Sequence, residues 1–268
     1  MGKPFSGTAC LRRSLYITVW STRAFRRSAV FCYGCYAWLI LVLVVIPVAI
    51  LLLPLPGIMR RRRLARVAAR LVCRLTRSPI HVTGRPIPDS FACVVVSNHA
   101  SYLDGIVLTA TLPPQFAFLI KSEMAAIPVT GFVLKRLGSE FVDRENPRDR
   151  HRMARRLIDT AGRGSTLAVF PEGTFDRLPG LKTFHPGAFI AAMRGGLPVV
   201  PVVITGSREK MPGNSLMPRP GRIRVHICEP IPTERFETPE ALLAATRKAM
   251  LTVLDEPDLD PSMTRGTV

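Results

Sequence analysis

The sequence predicts an α/β fold, a mixed, largely parallel sheet flanked by helices, with an N-terminal membrane-embedded helical segment before it. Two observations lead to this fold class. From residue 79 onward, short apolar runs rich in β-branched residues alternate with amphipathic helical patterns, which is typical of α/β domains. Before that point, residues 37–55 form a run of nineteen residues without a polar side chain, a length that suits a helix in a bilayer.

The positive charge of the chain is concentrated in its N-terminal third. The 268 residues carry a net charge of +18, yet residues 1–88 contain fifteen Lys and Arg and no acidic residue, and the rest is close to neutral. We predict a basic, membrane-anchoring region over 1–78, a globular domain over 79–254 and a loose C-terminal tail over 255–268. The hydrophobic fraction of 47% excludes a disordered chain.

The apolar run is interpreted as a membrane segment. As a helix, 37–55 would be about 28 Å long, close to the thickness of the hydrocarbon core. A signal peptide would have a shorter run and a small-residue cleavage site, and a core helix would have a polar face. Pro47 leaves a kinked span and a re-entrant hairpin open. No nucleic-acid motif accompanies the arginines, so nucleic acid is not an expected partner.

A second N-terminal helix is predicted over 60–77, where eight arginines are interleaved with aliphatic residues at near-helical spacing. This pattern is typical of a basic amphipathic helix on anionic headgroups. The alternative is a solvated helix that packs one face on the domain. Only five arginines lie in residues 11–30, before the apolar run. The excess after the run predicts a domain on the cytoplasmic side of the inner (cytoplasmic) membrane.

The six cysteines form neither a disulfide framework nor a metal site. Cys32 and Cys35 make a C-x-x-C at the membrane border, without a second pair or a nearby His, so zinc is not expected. Cys73, Cys93 and Cys228 lie in apolar surroundings and are predicted to fill the core.

Strands and helices alternate along the domain. The predicted strands are 91–97, 115–120, 139–143, 165–170, 198–205 and 222–231. The predicted helices are 104–112, 121–138 with an interruption near Pro128, 147–164, 187–196 and 238–254, the last with a Thr cap. Residues 78–90 are interpreted as a linker.

Polar and charged side chains follow three of these strands directly. Strand 91–97 is followed by "NHASYLD", strand 139–143 ends in Asp143 and is followed by Arg144, and strand 165–170 is followed by "PEGTFDR". In open α/β sheets, ligands bind beyond the carboxyl ends of the strands. The coincidence of three such ends predicts a functional site at this edge of the sheet.

His99 and Asp104 are candidates for a base and its supporting carboxylate. At a separation of five residues they meet only if the chain turns between them. Asp104 would then accept a hydrogen bond from one imidazole nitrogen, which leaves the other nitrogen as a base. Because no nucleophile elbow such as G-x-S-x-G is nearby, the nucleophile would be a hydroxyl of the substrate. The alternative is a loop histidine satisfied by its neighbours.

Glu172 follows a rigid proline and precedes a permissive glycine, Gly173. This placement can present the carboxylate at a strand end, with backbone amides of the turn exposed to an anion. The alternative is an ordinary strand-to-loop turn with one solvated carboxylate.

Together these segments resemble the glycerolipid acyltransferase family, whose best-known members are 1-acylglycerol-3-phosphate acyltransferases. "NHASYLD" is similar to the family's N-H-x-x-x-x-D motif and "FPEGT" to its F-P-E-G-T motif. "GSEFVDR" (138–144) resembles the second block of the family, and "LPVVPVVITG" (197–206) resembles the fourth. "IKSEMAAIPVTG" (120–131) also matches. Ordered blocks of this kind are far more specific than a single motif.

The resemblance implies a membrane-bound O-acyltransferase that needs no metal or cofactor. Such an enzyme transfers a fatty acyl group from acyl-CoA or acyl-ACP to a lysolipid, in the first instance 1-acylglycerol-3-phosphate, to give phosphatidic acid. His99 and Asp104 would be the catalytic pair. The implied substrate-binding residues are Asn98, Lys121, Arg144, Glu172, Gly173, Thr174, Arg177 and Lys182.

One position departs from the family pattern. The family commonly has an arginine that helps bind phosphate directly after F-P-E-G-T, whereas this sequence has Phe175. Arg177 and Lys182 lie close by, but a shift of two residues moves a charge by several ångströms. The acceptor therefore stays open between lysophosphatidic acid and another lysolipid, such as a lyso-ornithine lipid or a lysophospholipid. Outside the enzyme class, the alternative is a non-catalytic membrane scaffold. His185 is interpreted as a structural or rim residue.

Overall fold

The computed structural model describes the backbone of residues 8–142, 166–175 and 178–260, with side chains from residue 27 onward. Its strands are β1 (Ile80–Gly84), β2 (Val94–Ser97), β3 (Phe116–Lys121), β4 (Glu140–Val142), β5 (Thr166–Val169), β6 (Val199–Thr205) and β7 (Ile223–Ile227). They form one sheet in the order β1-β7-β6-β2-β5-β3-β4. β7 is antiparallel to β6, and the other neighbouring pairs are parallel. The predicted mixed, largely parallel sheet is confirmed.

The six predicted strands are all present, with ends that differ by a few residues. The interpretation of 78–90 as a linker is wrong, because this segment contains β1. β1 lies at the edge of the sheet and pairs with β7 from Ile80 opposite Ile223 to Gly84 opposite Ile227. Four of its five residues are exposed, so β1 lacks the apolar run by which the other strands were found. Asp143 and the helix predicted over 147–164 lie outside the described residues.

The described helices also follow the predicted order, except that the short helix Ser207–Lys210 was not predicted. They are α1 (Thr8–Leu51), α2 (Ile58–Leu75), α3 (Asp104–Thr111), α4 (Pro128–Arg136), α5 (Gly187–Arg194), α6 (Ser207–Lys210) and α7 (Pro239–Leu251). A short 3₁₀ helix, Ser122–Ala126, precedes α4, as expected from the interruption near Pro128. The Thr238 side chain accepts a hydrogen bond from the backbone N–H of Ala241, which confirms the predicted cap of α7.

Helix α1 is much longer than the apolar run that predicted it, since it begins at Thr8. Pro47 lies within the helix and does not end it. The helix ends at Leu51 rather than at residue 55, because prolines at 54 and 56 disfavour helical backbone at the residues before them. Within α1, Arg27–Leu51 is long and apolar enough to cross a membrane, and little of its surface is buried.

The core lies on both faces of the sheet. On one face Val94 and Val96 of β2 pack with Phe189 of α5 and Met250 of α7. On the other face Val95 packs against residues of α3. A strand buried on both faces is apolar at every position, which explains the unbroken valine run. Burial also raises the pKa of the Cys93 thiol to about 12, in keeping with an inert residue that fills the core.

Helix α2 packs one face on the domain, as predicted by the alternative interpretation of residues 60–77. The buried face consists of Ala65, Ala69, Val72 and Cys73. Beside this face, Arg62, Arg66 and Arg70 donate hydrogen bonds to carbonyl groups at or just beyond the C-terminal ends of α3 and α4, where positive charge is favourable. The opposite face exposes Val67, Leu71 and Leu75 between further arginines. Contact of that face with anionic headgroups stays a prediction.

The expectation of a loose tail from residue 255 is wrong for residues 255–260. Glu256 forms an ion pair with Arg208 at 3.0 Å, and Leu181 pairs with Asp258 in a parallel bridge. Asp260 is buried. Glu256 and Asp258 are polar, and their partners Arg208 and Leu181 lie far away in the sequence, so a local pattern did not indicate that this segment is packed. Residues 261–268 lie outside the described part of the chain.

Candidate functional site

The candidate site lies at the carboxyl edge of the sheet. β2 and β5 are parallel neighbours, so the loops that follow them leave the sheet side by side. The first loop carries His99 and ends at Asp104, the first residue of α3, and the second loop carries Glu172. β3 is the next strand beyond β5, and Lys121 is its last residue. The predicted convergence of strand ends is confirmed for these loops.

His99 and Asp104 are in contact because the chain turns between β2 and α3. Asp104 is the first residue of α3 and has no exposed surface. Its Oδ2 lies 3.0 Å from Nδ1 of His99 and accepts hydrogen bonds from the backbone N–H groups of Ala100 (2.7 Å) and Ser101 (2.8 Å). A carboxylate so placed accepts a proton-bearing Nδ1, so we assign the imidazole hydrogen there. The Nε2 lone pair is then available as a base.

Glu172 joins the two loops from inside the protein. Its Oε1 accepts from the backbone N–H of His99 at 2.7 Å, and its Oε2 accepts from the N–H of Lys182 at 2.9 Å. The residue is only 5% exposed. Burial raises the pKa of Glu172 to about 7, while the two backbone hydrogen bonds and the cations of Arg247 and Arg208 oppose that rise. This position differs from the predicted contact with the acceptor, because both oxygens hold backbone amides.

Asn98 also differs from its predicted role in binding substrate. The residue is buried. Its side-chain oxygen accepts from the N–H of Ile204 at 2.7 Å, and its side-chain nitrogen donates to the carbonyl of Ile204 at 2.9 Å. This reciprocal pair continues the β2–β6 pairing one step past the strand. Asn98 therefore fixes the backbone that carries His99 instead of lining the open site.

The turn after β5 holds the other predicted residues of this loop. Gly173 has a φ of +80° and donates its N–H to the carbonyl of Phe170 at 3.2 Å, so this amide is not directed at an anion. Thr174 is exposed, and its Oγ1 accepts from Nζ of Lys182 at 3.4 Å. Thr174 and Lys182 thus offer polar groups at the rim. Arg177 and Arg144 lie outside the described residues.

Lys121 lies at the far side of the site. Its Nζ forms an ion pair with Glu123 at 2.5 Å, and 41% of the Lys121 side chain is exposed. An ion pair this exposed contributes little to stability. Binding of a charged ligand by Lys121 stays a prediction. Among the described residues, no group of three or more His, Cys, Asp and Glu side chains could hold a metal ion.

The sequence of the chain is similar to that of known acyltransferases. The family model described as Acyltransferase matches residues 79–205. A chloroplastic 1-acyl-sn-glycerol-3-phosphate acyltransferase of Brassica napus is 32% identical over 177 residues, which cover 64% of this chain and 51% of that protein. A lyso-ornithine lipid O-acyltransferase of Pseudomonas aeruginosa is 28% identical over 207 residues, covering 71% of this chain and 78% of that protein. Residues 79–205 of the chain form a domain of the acyltransferase family.

The fold of the chain agrees with a solved structure. The crystal structure of the 1-acyl-sn-glycerophosphate acyltransferase PlsC from Thermotoga maritima matches with a TM-score of 0.72 and 23% identity, covering 87% of this chain and 96% of that one. This similarity supports the α/β fold with its N-terminal helices. The chain spans about half the length of the Brassica napus relative and of a chloroplastic relative from Arabidopsis thaliana, at 51% and 49%.

An aromatic wall beside His99 was not predicted. The ring of His99 stacks on Phe170, with centroids 4.3 Å apart, and meets the ring of Phe175 edge-on at 4.7 Å. Phe175 in turn contacts Tyr102 at 4.7 Å. The imidazole is therefore held between two rings, with 18% of its side chain exposed. Phe175 stood out in the sequence as a departure from the family, but its contact with His99 depends on the pairing of β2 with β5.

A second missed residue is Arg247 of α7. Its side chain is 1% exposed and donates to the carbonyls of Leu181 and Lys182, and it forms an ion pair with Asp258. Arg247 therefore holds the segment in which the backbone N–H of Lys182 donates a hydrogen bond to Glu172. A signal was present in the sequence, because Arg247 lies at helical spacing from the buried Met250 on the apolar face of α7. His185 is exposed, in keeping with its interpretation as a rim residue.

Proposed function

We propose that the chain is a membrane-bound O-acyltransferase that moves a fatty acyl group from a thioester, acyl-CoA or acyl-ACP, to the free hydroxyl of a lysolipid. The first-choice acceptor is 1-acylglycerol-3-phosphate, and the product is then phosphatidic acid. The observation that carries this proposal is the contact of His99 with the fully buried carboxylate of Asp104 at the carboxyl edge of the sheet. Membership of the family supplies the class of reaction.

The proposed step uses the side chains as found. Nε2 of His99 takes the proton of the acceptor hydroxyl while the oxygen attacks the thioester carbonyl, and Asp104 stabilises the imidazolium that forms. As the tetrahedral intermediate collapses, the carbon–sulfur bond breaks and the imidazolium returns the proton to the leaving thiolate. The products are an ester and a free thiol, and no acyl-enzyme forms. Phe170 and Phe175 restrict rotation of the base during this cycle.

The location proposed for this enzyme is the cytoplasmic membrane, with the domain on the cytoplasmic side. α1 is fixed to the domain by Tyr33 near one end of its apolar part and by the carbonyl of Leu52, which accepts from Arg136, just beyond its other end. Nineteen residues of helix separate these points, or about 28 Å. The apolar stretch therefore lies along the domain, which favours a re-entrant or one-leaflet placement over a straight span. Exposed arginines of α2 would meet anionic lipids.

A second acceptor is favoured by Phe175. At the position where the family commonly has a phosphate-binding arginine, this chain places an apolar ring against His99. A relative that is 28% identical and matched over 78% of its length is named a lyso-ornithine lipid O-acyltransferase. A lysolipid whose headgroup lacks a phosphate, such as a lyso-ornithine lipid, is therefore the second candidate.

The test is an acyl-transfer assay on membranes that contain the full chain, His99→Ala or His81→Ala. His81 is an exposed histidine on edge strand β1 and serves as the matched control. Labelled acyl-CoA or acyl-ACP is offered with lysophosphatidic acid, lyso-ornithine lipid and lysophosphatidylethanolamine. We expect transfer that is lost in His99→Ala and kept in His81→Ala, and the preferred acceptor identifies the headgroup. Equal transfer by all three proteins, or none to any acceptor, would contradict the proposal and favour the scaffold.

A further inference from the structure

We propose that Tyr33, Lys210 and Ser101 form a hydrogen-bonded latch that couples helix α1 to the Asp104–His99 pair. In this latch Lys210 and Tyr33 are positioning residues, which act on the base through the loop that carries it. The inference rests on the proposed function for its kinetic consequences. Its structural consequence, the order of the loop that contains Ser101, can be measured without any activity.

Lys210 is the unusual member, because it is a lysine with only 4% of its surface exposed. Its Nζ donates to the hydroxyl of Tyr33 at 2.7 Å and to the carbonyl of Arg219 at 2.9 Å. The ammonium group also lies 5.0 Å from the centre of the Tyr33 ring. Burial of an ammonium group is costly unless its hydrogen bonds are made. An apolar side chain would fill this space without that cost, so the polar contacts are the reason to look for a role here.

Tyr33 links this ammonium group to the membrane helix. It lies in α1, and its hydroxyl donates to the carbonyl of Thr76, just past the end of α2, at 2.7 Å. The hydroxyl therefore donates to the α2 end and accepts from Lys210. Movement of α1 relative to the domain breaks one or both of these bonds. The position of Lys210 thus depends on α1 being docked.

Lys210 is connected to the catalytic loop through the next residue. The carbonyl of Met211 accepts a hydrogen bond from Oγ of Ser101 at 2.9 Å. The backbone at this point is fixed further by the N–H of Arg219, which donates to the carbonyl of Lys210 at 2.7 Å. Ser101 in turn donates its own N–H to Oδ2 of Asp104 at 2.8 Å. A shift of residues 210–211 therefore displaces one of the donors that orient the Asp104 carboxylate.

The consequence for catalysis follows from geometry. Asp104 orients the imidazole of His99, and a misplacement of about 1 Å at a reacting group can lower a rate by as much as 100-fold. Lys210 is buried and Tyr33 is partly buried, and both donate hydrogen bonds to protein groups behind the loop. Loss of the latch should therefore lower kcat by roughly tenfold and leave KM within about twofold.

The test compares Tyr33→Phe with Tyr36→Phe in the full chain, reconstituted in phosphatidylglycerol vesicles. Tyr36 is a matched control, since its hydroxyl also donates a hydrogen bond from α1 to a carbonyl of α2, that of Leu75, at 2.8 Å. We expect the drop in kcat for Tyr33→Phe and not for Tyr36→Phe, and the same drop for Lys210→Met. Combined with Ser101→Ala, Tyr33→Phe should cause little further loss, because both changes break one path.

A second readout is hydrogen exchange of the peptide over residues 98–104, measured by mass spectrometry on the same vesicles. The amides of Ala100 and Ser101 should exchange faster in Tyr33→Phe than in Tyr36→Phe. Equal exchange and equal kcat in the two variants would overturn the latch, as would fully multiplicative losses in the double variant. If the wild type transfers acyl groups to no acceptor, the proposed function fails, while the exchange comparison still decides the latch.

Discussion

The buried carboxyl of Glu172 makes the stability of the fold depend on pH in a defined window. The pKa of Glu172 is raised by burial to about 7, from the ordinary value of 4.5. As the pH rises from 4.5, the unfolded chain loses this proton first, so unfolding releases a proton and becomes easier. The extra stability is complete below pH 4.5 and is lost as the pH passes through 7. Over this window the free energy of unfolding should fall by about 3 kcal/mol.

The perturbation that isolates this effect is Glu172→Gln, which cannot ionise. Gln keeps one acceptor oxygen and loses the other. The substitution should therefore lower the free energy of unfolding by about 1 kcal/mol or more at every pH. The quantity to measure is the difference in unfolding free energy between wild type and variant, from urea titrations in detergent between pH 4.5 and 8. We expect the wild type to lose about 3 kcal/mol relative to Glu172→Gln across this range and to show no further relative change above it.

Glu229→Gln serves as the control for this measurement. Glu229 pairs with Arg85, and its side chain is 75% exposed, so its ionisation should leave the pH profile nearly unchanged. A constant difference between wild type and Glu172→Gln at all pH values would refute the reasoning. It would mean that the hydrogen bonds from His99 and Lys182 outweigh the burial of the carboxylate.

Three further predictions concern the base, the acceptor and the membrane. Asp104→Asn should lower kcat by about 10²–10⁴-fold with folding retained by circular dichroism, because the amide no longer favours the Nδ1–H tautomer or stabilises the imidazolium. Phe175→Arg should raise transfer to lysophosphatidic acid relative to lyso-ornithine lipid in a competition assay, whereas Phe175→Leu should not. Arg63→Ala with Arg74→Ala, two exposed arginines of α2, should weaken binding to anionic vesicles by about tenfold or more in low salt, and binding to neutral vesicles should be unaffected. An unchanged rate, acceptor ratio or vesicle affinity would contradict the corresponding prediction.

A fifth prediction concerns the buried arginine of α7. Arg247→Met should lower the free energy of unfolding by about 3 kcal/mol, because it removes the buried partner of the half-buried Asp258 carboxylate and leaves the carbonyls of Leu181 and Lys182 without their donor. Thermal unfolding measures this loss. The same change at Arg194, an exposed residue in the last turn of α5, should change stability by less than about 1 kcal/mol. Equal effects of the two changes would argue against a bracing role for Arg247.

The sequence by itself determined the features that depend on neighbours along the chain. The valine run of β2 predicts a strand buried on both faces, and the Thr cap predicts the start of α7. The spacing of His99 and Asp104 predicts a pair joined by a turn. The apolar run in α1 predicts a helix that suits a membrane. In each case the signal is a periodicity, a cap or a turn that spans only a few residues. The physical cause of the local structure lies within those same residues.

Only the tertiary structure decided which groups meet across the sheet. β1 is defined by its pairing with β7, about 140 residues away. Glu172 holds the backbone of His99 because β5 and β2 are neighbours, and Phe175 reaches the imidazole for the same reason. Arg247 satisfies carbonyls of another segment altogether. A polar group can form hydrogen bonds with several different partners. Long-range packing decides which partner it meets, and local sequence patterns contain no information about that packing.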